Sequence, residues 1–193
     1  MTPPQRPLHP GAATQPPEEL LDPPISSERI FDGNIVRLRV SEYRRRSGLV
    51  VRREVLEHHG AVVIVPVEDD RILMVRQPRE AVEEMMLELP AGKLDEAGED
   101  PLQAARRELA EEVGREAGRW TSLGGFYTAP AMITEFIHLF VATDLRDTDI
   151  APIPEEEIEI VPVPISQVPT IIDRVRDAKT LVGLLRLARA LGI

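Results

Sequence analysis

Apolar residues alternate with polar ones early in this chain, run unbroken near its middle, and recur at helical spacing towards its end. The stretches Ile35 to Val40 and Val50 to Leu56 read as strands with a turn near Ser47-Gly48. They predict an antiparallel layer ahead of the main domain. Ala61 to Val67 is almost wholly apolar, the pattern of a strand covered on both faces. Asp69-Asp70 supply a turn, after which Ile72 to Val75 pairs back. Further strands are predicted over Trp120 to Phe126, Phe136 to Ala142 and Ile158 to Val163. Ser166 to Asp177 and Thr180 to Leu191 carry the helical period.

One helix is signposted at both ends. Asp100 is a good N-cap, and Pro101 falls at the first helical position, where its missing donor costs nothing. Gln103 can close a capping box, and Gly114 supplies a left-handed stop. Leu102, Ala105, Leu109 and Val113 make a core-facing stripe between them.

Composition sets limits on function. The net charge is −10, which disfavours a nucleic-acid partner because phosphate backbone needs a basic footprint. A small anionic substrate is compatible only where local cations or metal ions override that field. Cysteine is absent, which removes disulfides, thiol catalysis and cysteine-based zinc sites. His9, His58, His59 and His138 lack the spacing of a zinc site. No apolar run reaches the length of a membrane span, and the N-terminus has no signal-peptide core, so the expected compartment is the cytoplasm. Residues 1–26 hold 8 of the 18 prolines and read as an unstructured tail rather than a docking segment. The expected organisation is this tail, the antiparallel layer over 27–58, and a catalytic domain over 59–193.

The chemistry concentrates on the signposted helix. Glu108 and Glu112 are four apart, so their carboxylates stand one turn above the other at the edge of the apolar stripe. Glu111 can lean into the same space. Three crowded carboxylates repel one another, with only Arg106 and Arg107 nearby on the helix. A divalent cation resolves the conflict, and Mg²⁺ suits hard oxygen ligands. An exposed charged face would explain the glutamates alone. The preceding loop, Glu88-Leu89-Pro90-Ala91-Gly92-Lys93-Leu94-Asp95, shifts the balance, because its glycine lets backbone approach a ligand and Glu99 can pair with Arg107.

Gly92, Glu99, Arg107, Glu108, Leu109, Glu111, Glu112 and Gly114 together resemble the Nudix box: Gly, five residues, Glu, seven residues, then Arg-Glu-apolar-x-Glu-Glu-x-Gly. The fit holds from Glu99 onward, while six residues separate Gly92 from Glu99, an insertion of one in the loop around Asp95 to Gly98. The resemblance implies an α+β fold: a Nudix-type α/β/α sandwich with a mixed sheet, preceded by the N-terminal antiparallel β layer. The surroundings are most similar to the ADP-ribose pyrophosphatase branch. Val75-Arg76-Gln77-Pro78-Arg79 and Glu88 to Gly92 resemble its segment before the box. Pro130 follows Gly114 by 16 positions, near a marker proline of that branch, in a loop that ends on Glu135. Ala131 and Met132 depart from that loop's usual Gly and aromatic.

This resemblance implies Mg²⁺, with Mn²⁺ as an alternative, held by Glu108, Glu112, Glu111 and the Ala91 carbonyl. Arg107 is expected among the catalytic residues with Glu108, Glu111, Glu112 and Glu135. Glu135 is the family-like general base, with Glu111 as rival. Arg79 would hold a phosphate or terminal ribose, assisted by Arg76 or Arg37, with Glu88 and Pro130 in the same substrate region. Phe31 is placed to stack on adenine. The layer from Ile30 to Leu56 would exchange between two subunits of a homodimer. The implied reaction is hydrolysis of ADP-ribose to AMP and ribose 5-phosphate. Other nucleoside diphosphate derivatives remain open: nucleotide sugars, dinucleoside polyphosphates, FAD or NADH. So does a non-catalytic module that senses ADP-ribose.

Overall fold

In a computed structural model that describes residues 22–33, 36–95, 98–149 and 157–193, the apolar run becomes strand β4 (Ala61–Glu68), buried from Ala61 to Pro66. The earlier strands β1 (Ser26–Asp32), β2 (Arg37–Arg44) and β3 (Val50–Glu57) form their own antiparallel sheet in that order. Behind β4 follow β5 (Arg71–Arg79), β6 (Glu84–Glu88), β7 (Ala91–Lys93), β8 (Arg115–Tyr127), β9 (Phe136–Asp147) and β10 (Glu159–Pro164). These seven make a mixed sheet with path β10-β5-β4-β9-β8, in which β6 pairs with β5 and β7 with β4. The β4–β9 pair is parallel and the other pairs are antiparallel.

Successive side chains of a strand point to opposite faces, and both faces of β4 are covered. Val62 and Ile64, with Leu73 and Val75 of β5, pack under helix α1 (Pro101–Val113) through Ala104, Ala105, Leu109 and Val113. Val63 and Val65, with Ile72, Met74, Ile137 and Leu139, pack under helix α3 (Ala178–Leu191) through Leu184 and Leu187. This is the expected α/β/α sandwich. Each fully buried aliphatic side chain contributes about 1.5–3 kcal/mol, so the two faces outweigh any single cap or ion pair. The helix α3 approaches closely at Gly183, where a Cβ would come within 2.4 Å of Leu89 Cδ1. That contact brings the N-terminus of α3 down beside the site.

The helix α1 is capped as its ends predict. Asp100 accepts from the Leu102 backbone amide at 3.0 Å, and Gly114 takes the left-handed conformation with φ 66°. The reciprocal Gln103 side-chain bond is not formed among the described residues. The expected helix over Ser166 to Asp177 is cut short. A 3-10 turn (Ile165–Gln167) leads into helix α2 (Val168–Ile172), which ends at Ile172. Asp177, expected to close that helix, instead caps α3 by accepting from the Thr180 amide at 2.9 Å. A short acid that bonds its own following backbone favours a helix start over a helix interior.

The separate sheet matches the predicted layer and adds β1, whose residues are exposed throughout. Ile35, expected in a strand, and residues 1–21 of the proline-rich tail lie outside the described residues. The end of β3 grips the 128–135 loop: the Leu56 amide donates to the Met132 carbonyl, and the Thr134 amide donates to the Leu56 carbonyl. Among the described residues, no helix is long and apolar enough to cross a membrane.

Candidate active site

A cleft of about 760 Å³ opens beside β7 and the two flanking helices, bordered by Glu108, Glu112, Arg79, Glu135 and Lys179. Its α1 wall holds the box glutamates. Glu108 and Glu112 are 9% and 6% exposed, deeper than the domain edge that helical spacing predicted. The reason is β7, which packs along α1. The Ala91 amide donates to Glu112 Oε2 at 3.0 Å, and a Cβ on Gly92 would lie 1.9 Å from the Glu108 carboxyl. Only glycine leaves room for that carboxylate.

The like-charge crowding is partly relieved by Arg107. Its Nη1 donates to Glu108 at 2.7 Å and to Glu111 at 3.3 Å, and its Nη2 lies 3.5 Å from Asp95 and 4.0 Å from Glu99. Burial lowers the Arg107 pKa, but Glu108 and the other carboxylates more than reverse this and raise it. Glu111 is thereby turned to Arg107, off the cleft lining that includes Glu108 and Glu112. Among the described residues, no three acidic or imidazole side chains gather around a common point for an ion.

The opposite wall is assembled from distant segments. Arg79 grips Glu88 with two parallel bonds, Nε to Oε1 at 2.8 Å and Nη2 to Oε2 at 2.7 Å. Lys179 also bonds Glu88 Oε2 and lies 3.0 Å from Asp177. Burial pushes the Glu88 carboxyl up, since its side chain is 2% exposed, yet Arg79 and Lys179 outweigh this and hold it below the usual range. The Arg79 guanidinium is raised chiefly by its bond to Glu88.

Glu135 reaches the cleft from the 128–135 loop. Thr128 donates to its Oε2 at 2.7 Å, and His58 Nε2 lies 3.6 Å from its Oε1. The Gly60 amide donates to His58 Nδ1 at 3.0 Å, so the proton of the neutral ring belongs on Nε2, facing Glu135. Burial lowers the His58 pKa more than Glu135 raises it. Pro130 is exposed and opens the turn closed by the Met132 amide on the Ala129 carbonyl.

Three expected substrate residues sit elsewhere. Arg76 pairs with Glu159 at 3.6 Å and does not border the cleft. Arg37 donates to His59 at 2.8 Å in a smaller cavity of about 140 Å³ beside the cleft. Phe31 is 56% exposed on β1. Conversely, Lys179, Asp177, His58 and Gln77 border the cleft without having been assigned a role from sequence. No local pattern marked the first two: Asp177 read as the end of one helix, and Lys179 fell just before the next.

Known proteins add an independent line. The family model described as NUDIX domain matches residues 57–182. The chain is 36% identical over 165 residues to the ADP-ribose pyrophosphatase of Bacillus subtilis, covering 81% of this chain and 86% of that protein. It is 46% identical over 124 residues to the ADP-ribose pyrophosphatase of Mycobacterium tuberculosis, covering 64% of this chain and 60% of that one. A crystal structure of an ADP compounds hydrolase superposes with TM-score 0.79 at 24% identity, over 90% of this chain and 97% of its own, a likeness of fold.

Proposed function

This chain belongs to the Nudix family, and on that premise we propose that it is a Mg²⁺-dependent hydrolase that cuts the pyrophosphate of ADP-ribose into AMP and ribose 5-phosphate. The observation that carries this reading is one cleft bordered by two buried box glutamates, a buttressed arginine and Glu135.

The donor set suits a hard divalent cation. Glu108, Glu112 and the Ala91 carbonyl offer oxygen ligands, and Arg107 is shared among Asp95, Glu99, Glu108 and Glu111. Mg²⁺ usually keeps several waters and substrate phosphate oxygens, so a cage of three side chains is not required. Mn²⁺ would suit the same oxygens, and Glu111 would join only by leaving Arg107. Held by Glu108, Glu112 and the Ala91 carbonyl, a divalent ion would neutralise pyrophosphate oxygens and make water easier to deprotonate.

The protein's own groups do the rest. Glu88 orients the Arg79 fork, which remains 40% exposed and can bind a phosphate or the terminal ribose. Water adds to one phosphorus, the bridging oxygen leaves with the other phosphate, and Glu135 takes the water's proton. The Thr128 hydroxyl fixes the Glu135 carboxylate for that task, with His58 Nε2 3.6 Å from its other oxygen.

The exposed β1 supports a homodimer, in which the 27–58 layer exchanges and brings Phe31 and Arg37 to the partner's cleft. Ile30 and Phe31 are 50% and 56% exposed on β1, where a partner subunit could cover them. Light scattering after gel filtration should give twice the chain mass of 21.5 kDa. We place the reaction in the cytoplasm, whose reducing conditions a cysteine-free chain tolerates.

The test is a substrate panel in Mg²⁺ with products identified by chromatography. ADP-ribose should yield AMP and ribose 5-phosphate, and EDTA should stop the reaction. If GDP-mannose or another nucleotide sugar is cut far faster, the ADP-ribose assignment fails while the family stands.

A further inference from the structure

Gln77 on β5 is 6% exposed, and its Nε2 is buried without a hydrogen-bond acceptor among the described residues. It continues the row of Leu73 and Val75, which pack beneath α1. Past that packing the row emerges at the cleft, where Gln77 borders the same space as Glu108 and Glu112. Leucine or methionine would extend the row without burying an unsatisfied donor. An amide in place of an apolar side chain on that row, at the edge of the cleft, points to a ligand.

We propose that Gln77 is a substrate contact whose side-chain amide donates to an oxygen of the nucleoside diphosphate's pyrophosphate. The proposal rests on the reading of the cleft as a pyrophosphatase site. An NH₂ group only donates, so its partner must be an acceptor, and a pyrophosphate presents acceptors along its whole length. Neutrality matters as well. A lysine or arginine at this position would add a cation to the space that Glu108 and Glu112 border and compete for the carboxylates that suit a metal ion. An amide binds the anion and leaves those carboxylates free.

Three preparations test this: wild type, Gln77→Met, which keeps the length and loses the donor, and Gln77→Glu, which keeps the shape and replaces the donor with an anion. Ligand-free melting temperatures come first, then calorimetric titration in Mg²⁺ with a methylene-bridged ADP-ribose analogue, with ADP and with AMP. Gln77→Met should melt at or above the wild-type temperature. It should bind the analogue and ADP roughly 10-fold more weakly or worse, the range of a hydrogen bond to a charged group. The AMP loss should be smaller, because the bridge to a second phosphate is missing. Gln77→Glu should bind the analogue more weakly than Gln77→Met. A lower melting temperature with unchanged analogue affinity would overturn the proposal and assign the amide to the fold. An equal loss for AMP would overturn the pyrophosphate assignment. If wild type ignores the ADP-ribose analogue but binds GDP-mannose, the substrate reading fails separately, and the same variants titrated with GDP-mannose still decide the role of Gln77.

Discussion

On the α1 side of the cleft, one guanidinium, Arg107, stands against Asp95, Glu99, Glu108 and Glu111, with Glu112 buried beside Glu108. On the α3 side, Glu88 is met by both Arg79 and Lys179, and Lys179 also meets Asp177. The first wall gathers carboxylates, most of them at low exposure although Asp95 is open to solvent, and a bound cation suits it. The second is internally matched and needs nothing added. The difference teaches how one cleft divides its labour: an unbalanced wall recruits an ion, and a balanced wall provides a rigid support from which Arg79 meets the substrate.

The strongest way to break this contrast is to remove charge from the unbalanced wall. Glu112→Gln should lower turnover by on the order of 100-fold or more, since a catalytic ion supplies several kcal/mol of transition-state stabilisation. Circular dichroism should show the fold intact. Near wild-type rates in saturating Mg²⁺ would remove the metal role from Glu112. Next comes Gly92→Ala, whose added Cβ meets the Glu108 carboxyl. It should displace that carboxylate, cut turnover and cost about 1–3 kcal/mol in urea unfolding, as overpacking does.

Removing a cation from the balanced wall should do less. Lys179→Met leaves Glu88 its two bonds to Arg79, so stability should fall by about 1–3 kcal/mol. KM should rise several-fold while kcat stays near its original value. A collapse of kcat instead would place Lys179 among the reacting groups. The smallest effect is on pH dependence. Burial lowers the pKa of His58 and of His138 below the ordinary 6.5, so the unfolded chain takes up their protons first as pH drops. Melting temperature should therefore decline as pH falls below 6.5, less steeply in His58→Gln. Glu88, held below its ordinary 4.5, loses its contribution only at lower pH, as pH falls through its folded value.

The two walls also differ in how far a sequence reveals them. Glu108, Glu111 and Glu112 share one helix, whose geometry places carboxylates three and four apart together, and Asp100 and Gly114 announce its ends. Spacing alone still left out their burial, because that depends on β7 lying against α1, and it left out the turn of Glu111 towards Arg107. The other wall joins Glu88 to Lys179 across 91 positions, a contact set by the packing of α3 at Gly183. No local pattern encodes a pairing that depends on a helix docking on the far face of a sheet. The strands followed the same rule. Fully apolar β4 was plain, whereas exposed β1 carries little alternation to detect.

A crystal structure with Mg²⁺ and the methylene-bridged ADP-ribose analogue tests the division of labour most directly. The ion should lie against Glu108 and Glu112, with the pyrophosphate between it and Arg79. An ion or a pyrophosphate bound away from these glutamates would contradict the account.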